Sequence, residues 1–219
     1  MPTEPARNIV ASLRTSAPPV FRTRFEAASK AAAPTDADPV AHYHSAAARI
    51  QTSSATEIDL SDQSHLQDIP PLISSCRFLL SLNLSGTAVS ALDALSSLPR
   101  LERLALWGTP VRDLEPLRQI KTLRWLNLGS TDIVAIDALM DLPRLEVLDL
   151  SHTNIENIEP LETSLRLREL ILRGTRIVSI APLARLRDLM LLDLAGTGVT
   201  DTSPIKPLRN LVWLNAGSL

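Results

Sequence analysis

A unit of 22 residues repeats along most of the chain, and this period limits the possible folds more than any other feature. The hexapeptide LNLSGT at 82–87 returns as LALWGT at 104–109 and as LNLGST at 126–131. Its first leucine recurs at the same step at Leu148, Leu170, Leu192 and Leu214. A looser first copy begins at Ile58. One unit of this size cannot bury its own apolar side chains, so successive units must stack into a solenoid.

Several aliphatic columns share this period. They contain Leu101, Leu123, Leu145, Leu167, Leu189 and Leu211; Val89, Val111, Ile133, Ile155, Ile177 and Val199; Leu92, Leu114, Ile136, Ile158 and Ile180; and Leu95, Leu117, Leu139, Leu161, Leu183 and Ile205. The alternating Leu-x-Leu predicts a short strand whose leucines point inward. Eight such strands, paired in parallel about 4.8 Å apart, would form a sheet about 34 Å long.

Two features predict the connections between the strands. A threonine column, from Thr87 to Thr197, lies where the chain leaves each strand, and a buried hydroxyl there can hydrogen-bond the backbone of the turn. Prolines such as Pro116 and Pro160 stand where a helical turn would begin. The few residues left in each arc predict 3₁₀ turns, irregular turns or very short helices rather than long helices.

The full unit, LxxLxLxxTxIxxIxPLxxL, resembles the 22-residue leucine-rich repeats of the internalins and of the phosphatase regulators often called SDS-twenty-two-like. The resemblance covers the chain from about Ile58 to its end. It implies an α/β fold, a right-handed leucine-rich-repeat solenoid or horseshoe, with a parallel β-sheet on the concave face and the short turns on the convex face. It also implies that a protein binds the concave face, but it does not identify that protein.

The sequence departs from the unit at two places. Ser164 occupies a column that otherwise holds leucine or isoleucine, and Leu165 follows it, so we expect a bulge or a shifted register in that arc. The last copy stops mid-unit at Leu219 without a polar cap. We therefore expect either that the chain is a fragment of a longer protein or that a partner or a second copy covers this end. The last case would be self-association through the uncapped C-terminal edge.

The residues before the repeats divide into two segments. Residues 1–39 are rich in Ala, Pro, Ser and Thr and are predicted to be a flexible extension. Residues 40–56 are predicted to cap the first repeat, with a helix over Val40–Gln51. The repeat domain is then 57–219, with about eight repeats and the last one incomplete. The extension also resembles the export leaders of bacterial type III effectors, although Glu4 departs from their acid-poor start.

Composition excludes several classes of function. The formal net charge is -2 and the pI is about 6.1, so we expect neither nucleic acid nor a membrane as a partner. The single cysteine, Cys76, excludes an intrachain disulfide and a zinc cluster. The sequence contains no Gly-rich phosphate loop, Ser/His/Asp arrangement or metal-ligand spacing, so we expect no enzyme activity, no cofactor and no metal. We expect a cytoplasmic protein, with secretion into a host cell as the alternative.

The register of the strands also predicts which side chains point outward. It places all three tryptophans of the chain on the outward side of the sheet, where aromatics beside arginines are common anchors of protein interfaces. We predict that the partner contacts Arg103, Trp107, Trp125, Ile171, Arg173, Leu191 and Trp213, with Asp149, Glu169 and Asp193 adding polar specificity. The competing interpretation is lateral packing among neighbours on a sheet without a ligand.

Three functional hypotheses follow from these features. The first is a non-catalytic scaffold that binds another protein on the concave face. The second is the recognition arm of a longer, secreted bacterial effector, similar to type III effectors, whose enzymatic domain would follow Leu219. The third is a structural or degenerate repeat protein without a partner.

Overall fold

Eight three-residue strands form one parallel sheet in the order in which they occur along the chain. The computed structural model describes residues 44, 46–48, 50, 54–61 and 63–217. Within them the strands are β1 (Glu57–Asp59), β2 (Ser81–Asn83), β3 (Arg103–Ala105), β4 (Trp125–Asn127), β5 (Val147–Asp149), β6 (Glu169–Ile171), β7 (Leu191–Asp193) and β8 (Trp213–Asn215). The predicted parallel stack of repeats, and with it the leucine-rich-repeat solenoid, is confirmed.

The strands pair without any shift in register. Leu104 at the centre of β3 lies beside Leu82 of β2 and Leu126 of β4, and equivalent residues pair throughout the sheet. A shift of one residue would turn every side chain to the opposite face. The constant register therefore keeps the leucines on one side of the sheet at every level.

A 3₁₀ turn follows each of the first seven strands, on the side of the core opposite the sheet. Within the described part of the chain these turns are Pro71–Ser75, Asp93–Leu95, Glu115–Gln119, Asp137–Asp141, Glu159–Thr163, Ala181–Arg185 and Ser203–Ile205. Pro116, Pro160, Pro182 and Pro204 each stand in the first two positions of a turn, as predicted. Proline suits these positions because its missing N–H would have no partner inside the turn.

The core is one aliphatic cluster enclosed between the sheet and the 3₁₀ turns. It contains nearly all members of the predicted inward columns, although Leu211 in the last repeat is only partly buried. The threonine column lies at its margin, and each hydroxyl donates a hydrogen bond to the carbonyl oxygen three residues earlier. These bonds are 2.6–2.7 Å long and involve Thr87, Thr109, Thr131, Thr153, Thr175 and Thr197. The predicted role of the threonines is confirmed.

The arc around Ser164 has the same geometry as its neighbours, so the predicted bulge is wrong. The Ser164 amide donates to the Leu161 carbonyl at 2.9 Å, and the equivalent bond is formed in the other arcs. Ser164 is 4% exposed, whereas Leu165 points to solvent and is 57% exposed. The backbone hydrogen bonds hold the register even where the side chain does not fit it. The cost is a buried hydroxyl with no hydrogen-bond partner among the described residues.

The segment before the first repeat is described only in part. The described residues His44, Ala46–Ala48 and Ile50 are helical, and Ala46 and Ile50 belong to the core cluster. The Cys76 thiol is buried beneath them and lies 3.5 Å from the Ile50 carbonyl oxygen, and burial raises its pKa. Residues 1–39, predicted to be flexible, lie outside the described residues. In the part of the chain that the structure describes, no helix is long and apolar enough to span a bilayer.

Candidate binding face

The side of the sheet that faces away from the core, here called the open face, carries three columns of side chains. The column before the leucines is Glu57, Ser81, Arg103, Trp125, Val147, Glu169, Leu191 and Trp213. The column between them is Asp59, Asn83, Ala105, Asn127, Asp149, Ile171, Asp193 and Asn215. The column after them is Ser61, Ser85, Trp107, Gly129, Ser151, Arg173, Ala195 and Gly217. All ten residues predicted to bind a partner lie in these columns.

The three tryptophans lie on the open face, and none belongs to the core cluster of the described residues. Trp107 is 42% exposed, and Trp125 and Trp213 are partly buried. Trp125 and Trp213 share one column four strands apart, which corresponds to roughly 19 Å. The outward direction predicted for the indoles is confirmed.

Trp107 packs along the sheet rather than standing away from it. A Cβ atom added to Gly129, one level further along the same column, would lie 2.9 Å from Cδ1 of Trp107 and 2.9 Å from Oγ of Ser151. Only glycine at position 129 leaves room for the indole in this position. The open face therefore has its own lateral packing, as the competing interpretation expected, and still exposes much of one indole.

Two predicted arginines are engaged in ion pairs on the open face. The Arg103 guanidinium lies 2.8 Å from the Glu57 carboxylate and so bridges β3 to β1 across β2. Nε of Arg173 lies 3.2 Å from Oδ2 of Asp193, one repeat further along the chain. A partner that uses either arginine must replace or share an existing carboxylate.

The middle column has a structural role that the sequence interpretation missed. Its Asn and Asp side chains accept a hydrogen bond from the backbone N–H two residues later, which closes the turn at the end of each strand. The bonds join Ser61 to Asp59, Ser85 to Asn83, Gly129 to Asn127, Ser151 to Asp149, Ala195 to Asp193 and Gly217 to Asn215, at 2.8–3.3 Å. The signal was available in the sequence, since six of the eight residues in this column are Asn or Asp. One oxygen of Asp149 and one of Asp193 are thus already used.

Two residues of the predicted patch are largely covered. Leu191 is 7% exposed and Asp193 is 6% exposed. Leu191 lies between Glu169 and Trp213 in its column, and Asp193 is held by Arg173 and by the Ala195 amide. The patch is therefore partly a packed layer. Its other members are exposed or partly exposed, namely Arg103, Trp107, Trp125, Asp149, Glu169, Ile171, Arg173 and Trp213.

Two carboxyl groups of this layer have raised pKa values. Burial raises the pKa of Glu169 from 4.5 to about 7, against a smaller opposing effect of the Arg168 charge. Its lateral neighbours on the sheet are the apolar Val147 and Leu191. Burial also raises the pKa of Asp149, opposed by hydrogen bonds from Ser151. Near pH 7 the Glu169 side chain therefore exists in comparable amounts as acceptor-only carboxylate and as neutral acid.

The open face is a shallow surface of mixed polar and apolar groups. Within the described residues, no group of three or more His, Cys, Asp or Glu side chains is placed to hold a metal ion. The Asn, Asp and Arg side chains of the open face are engaged with carboxylates or with turn amides. The apolar groups form a shallow layer beside them. Such a surface suits recognition of another polypeptide.

Sequence comparison identifies the repeats in the middle of the chain. A family model described as leucine-rich repeats (2 copies) matches residues 121–163. No protein of curated function matches the sequence.

Comparison with solved structures agrees with the repeat pattern. Internalins F and C2 of Listeria monocytogenes are each 21% identical to this chain, cover 71% and 84% of it, and superpose with TM-scores of 0.62 and 0.63. A plant peptide hormone receptor, RGFR1 in complex with RGF2, is 17% identical over 71% of this chain, with a TM-score of 0.55. The chain spans 99% of internalin C2, but only 55% of internalin F and 29% of the receptor. At these identities the likeness establishes the fold alone.

Proposed function

We propose that this chain, whose repeats form an internalin-like leucine-rich-repeat solenoid, is a non-catalytic scaffold that binds another protein on the open face of its sheet. A stack of repeats presents a long, rigid row of side chains, which favours recognition over catalysis. Proteins with this fold commonly bind other proteins, and the structurally similar plant receptor was solved in complex with RGF2.

The position of the tryptophans is the observation that carries this proposal. The chain has only three, and all of them lie on the open face instead of in the core. Burial of a tryptophan is strongly favourable, so an unpartnered sheet gains nothing by exposing Trp107. In protein interfaces, tryptophan and arginine are the residues that most often dominate the binding energy.

We assign different roles to the predicted residues. Trp107, Trp125, Trp213, Ile171 and Arg173 would contact the partner directly. Leu191 would support this layer from within, and Arg103 would contribute through its pair with Glu57. Asp149 and Glu169 would supply polar specificity through carboxylate oxygens that no turn amide occupies, and Asp193 would do so where the partner replaces its ion pair with Arg173.

The test compares two double variants of the full chain in affinity purification from lysate of the source cells. We expect wild type and the Leu72→Ala/Met140→Ala control, which removes two exposed apolar groups away from the open face, to recover the same stoichiometric partner. Trp125→Ala/Trp213→Ala should lose that partner while its thermal unfolding changes little. Trp107→Ala, at the most exposed indole, serves as a second variant if the double variant is less stable.

Two results would reject the proposal. In the first, the tryptophan variants unfold at a much lower temperature, which would make the open face a structural layer. In the second, they retain the partner as well as the control does, which would place binding elsewhere on the chain. A recognition arm of a longer effector would use the same face, and an in-frame stop codon directly after Leu219 would reject that alternative.

A further inference from the structure

The two edges of the solenoid, which join the sheet to the 3₁₀ turns, differ sharply in charge. The segments that lead from each 3₁₀ turn to the next strand, here called the basic edge, are 76–80, 96–102, 120–124, 142–146, 164–168, 186–190 and 206–212. Their basic residues are Arg77, Arg100, Lys121, Arg124, Arg144, Arg166, Arg168, Arg187, Lys206 and Arg209. Their acidic residues are Glu102, Glu146 and Asp188. This excess of positive charge occurs in a chain whose net charge is -2.

The segments of the basic edge stack directly on one another. The Arg124 amide donates to the Glu102 carbonyl at 2.8 Å, the Arg168 amide to the Glu146 carbonyl at 2.8 Å, and the Met190 amide to the Arg168 carbonyl at 2.7 Å. The same bond occurs at the other levels from Leu80 to Val212. The cationic side chains therefore form a continuous row, with successive levels about 4.8 Å apart.

Most of these arginines form no ion pair with any residue that the structure describes. Within the described residues, no ion pair is formed by Arg77, Arg100, Arg144, Arg166, Arg168, Arg187 or Arg209. Arg100 instead lies over the ring of Phe78. On the opposite edge, the segments from 84–92 to 194–202 contain three basic and four acidic residues. The arginines there pair with acids, as Arg112 does with Asp132 and Arg176 with Glu156.

Apolar side chains stand among the unpaired arginines. Phe78, Leu165, Met190 and Val212 all lie on the basic edge and all are exposed. Arginine beside exposed apolar residues is the composition of surfaces that lie at the boundary between water and an anionic membrane, where arginine binds lipid headgroups and apolar groups enter the interface.

We propose that the basic edge docks on an anionic lipid bilayer, with the guanidinium groups on the headgroup phosphates and carboxylates and the apolar side chains between the headgroups. The spacing of the arginines favours fluid lipid over a folded partner. Arg100, Arg144 and Arg166 share one column, Arg77, Arg187 and Arg209 share a second, and Arg168 lies in a third. A partner with fixed spacing would match one column, whereas lipid headgroups adjust to all three.

This proposal revises the expectation from composition that the chain has no membrane partner. Net charge averages over the whole surface, whereas electrostatic attraction at about 0.15 M salt acts over a Debye length of about 8 Å. The charge that matters is therefore the local charge of the edge that faces the lipid. The proposal is also independent of partner binding on the open face, because it uses none of the residues assigned there.

The test is co-sedimentation of the full chain with vesicles of phosphatidylcholine alone and with 30% phosphatidylserine. We expect binding to the anionic vesicles only, with loss of binding as the salt concentration is raised. Arg144→Gln/Arg166→Gln should weaken binding about 5-fold per arginine, and so about 25-fold for the pair. The matched control is Arg112→Gln/Arg176→Gln, which changes the net charge equally but lies on the opposite edge and should leave binding within about 2-fold of wild type.

Three outcomes would overturn the proposal. In the first, the chain fails to sediment with anionic vesicles at low salt. In the second, the two double variants lose binding equally, which would indicate a general charge effect. In the third, the chain does not bind vesicles but binds soluble polyglutamate through Arg144 and Arg166. The last outcome would assign the edge to an acidic polypeptide. Circular dichroism of each variant separates all of these from loss of fold.

Discussion

The inward and outward sides of the same eight strands follow different rules. The inward positions hold leucine at nearly every level and belong to one buried cluster. The column before the leucines on the outward side varies from Glu57 through Trp125 to Leu191, in a backbone that is equivalent at each level. The strand and its register thus depend on the inward residues, and the outward residues are left to vary with function.

The outward side is itself divided. Its middle column is almost as regular as the core, because its Asn and Asp side chains close the turn after each strand. Variation that can encode recognition is therefore concentrated in the two flanking columns, where the tryptophans and most of the charged residues stand. The difference teaches that exposure alone does not distinguish a binding residue from a structural one.

The sharpest test of this comparison uses two adjacent residues that point to opposite sides of β4. Leu126→Ala removes a side chain that is 0% exposed, and we expect it to lower the free energy of unfolding by about 3 kcal/mol. Trp125→Ala removes a larger side chain from the open face and should cost less than half as much. Urea denaturation of both variants checks this. Equal losses would mean that the two sides contribute alike to the fold.

Glu169 tests whether a residue on the open face can be buried enough to disfavour its charged form, as in the core. Because its pKa is raised from 4.5 to about 7, the folded state binds a proton more readily than the unfolded state between these values. The stabilisation due to protonated Glu169 is complete below pH 4.5 and is lost as the pH rises through 7. We expect a loss of about 1–2 kcal/mol over this range, which is less than the full shift implies because solvent screens a partly exposed carboxyl.

Urea denaturation from pH 4.5 to pH 8 measures this slope. Glu169→Gln, which keeps the shape but cannot ionise, should flatten most of it. Asp149, whose pKa is also raised by burial, contributes with the same sign. An unchanged slope in the glutamine variant would show that Glu169 is hydrated like an ordinary surface carboxyl.

The smallest expected effect concerns packing on the open face. Gly129→Ala should displace Trp107 and lower the free energy of unfolding by less than about 1 kcal/mol, because the new methyl group would overlap Cδ1 of the indole. Trp107 emission should shift towards that of a more exposed indole. In the Trp107→Ala background, Gly129→Ala should lower the free energy of unfolding by a smaller amount. If the losses caused by the two substitutions simply add, the clash is with Ser151 instead.

The sequence was sufficient for the fold because the information is repeated at every level. Leu82 and its equivalents give the strands, Pro116 and its equivalents give the 3₁₀ turns, and Thr87 and its equivalents close the chain behind each strand. The prediction of a bulge at Ser164 was wrong because it assumed that one mismatched side chain could change the register of its arc. In the structure, backbone hydrogen bonds within the arc, such as that from the Ser164 amide to the Leu161 carbonyl, keep the register there.

The site was predictable only in outline. Alternation along the strands gives the direction of every side chain, so the outward placement of Trp107, Trp125 and Trp213 followed from the register. Side-chain contacts between neighbouring repeats do not follow from this alternation. The pair of Arg103 with Glu57 and the fit of Trp107 over Gly129 depend on side-chain conformations that a repeat pattern does not contain.

The unshifted pairing of the strands has a consequence for how such a chain can evolve. If one complete 22-residue unit were removed or duplicated, the repeats brought together would still pair in the same register. The contacts between adjacent repeats in the core would therefore remain equivalent. If that unit lies between Trp125 and Trp213, their separation would also change from roughly 19 Å to roughly 14 or 24 Å, in whole strand spacings. The reach of the recognition surface could thus be altered by the number of repeats, without a single substitution.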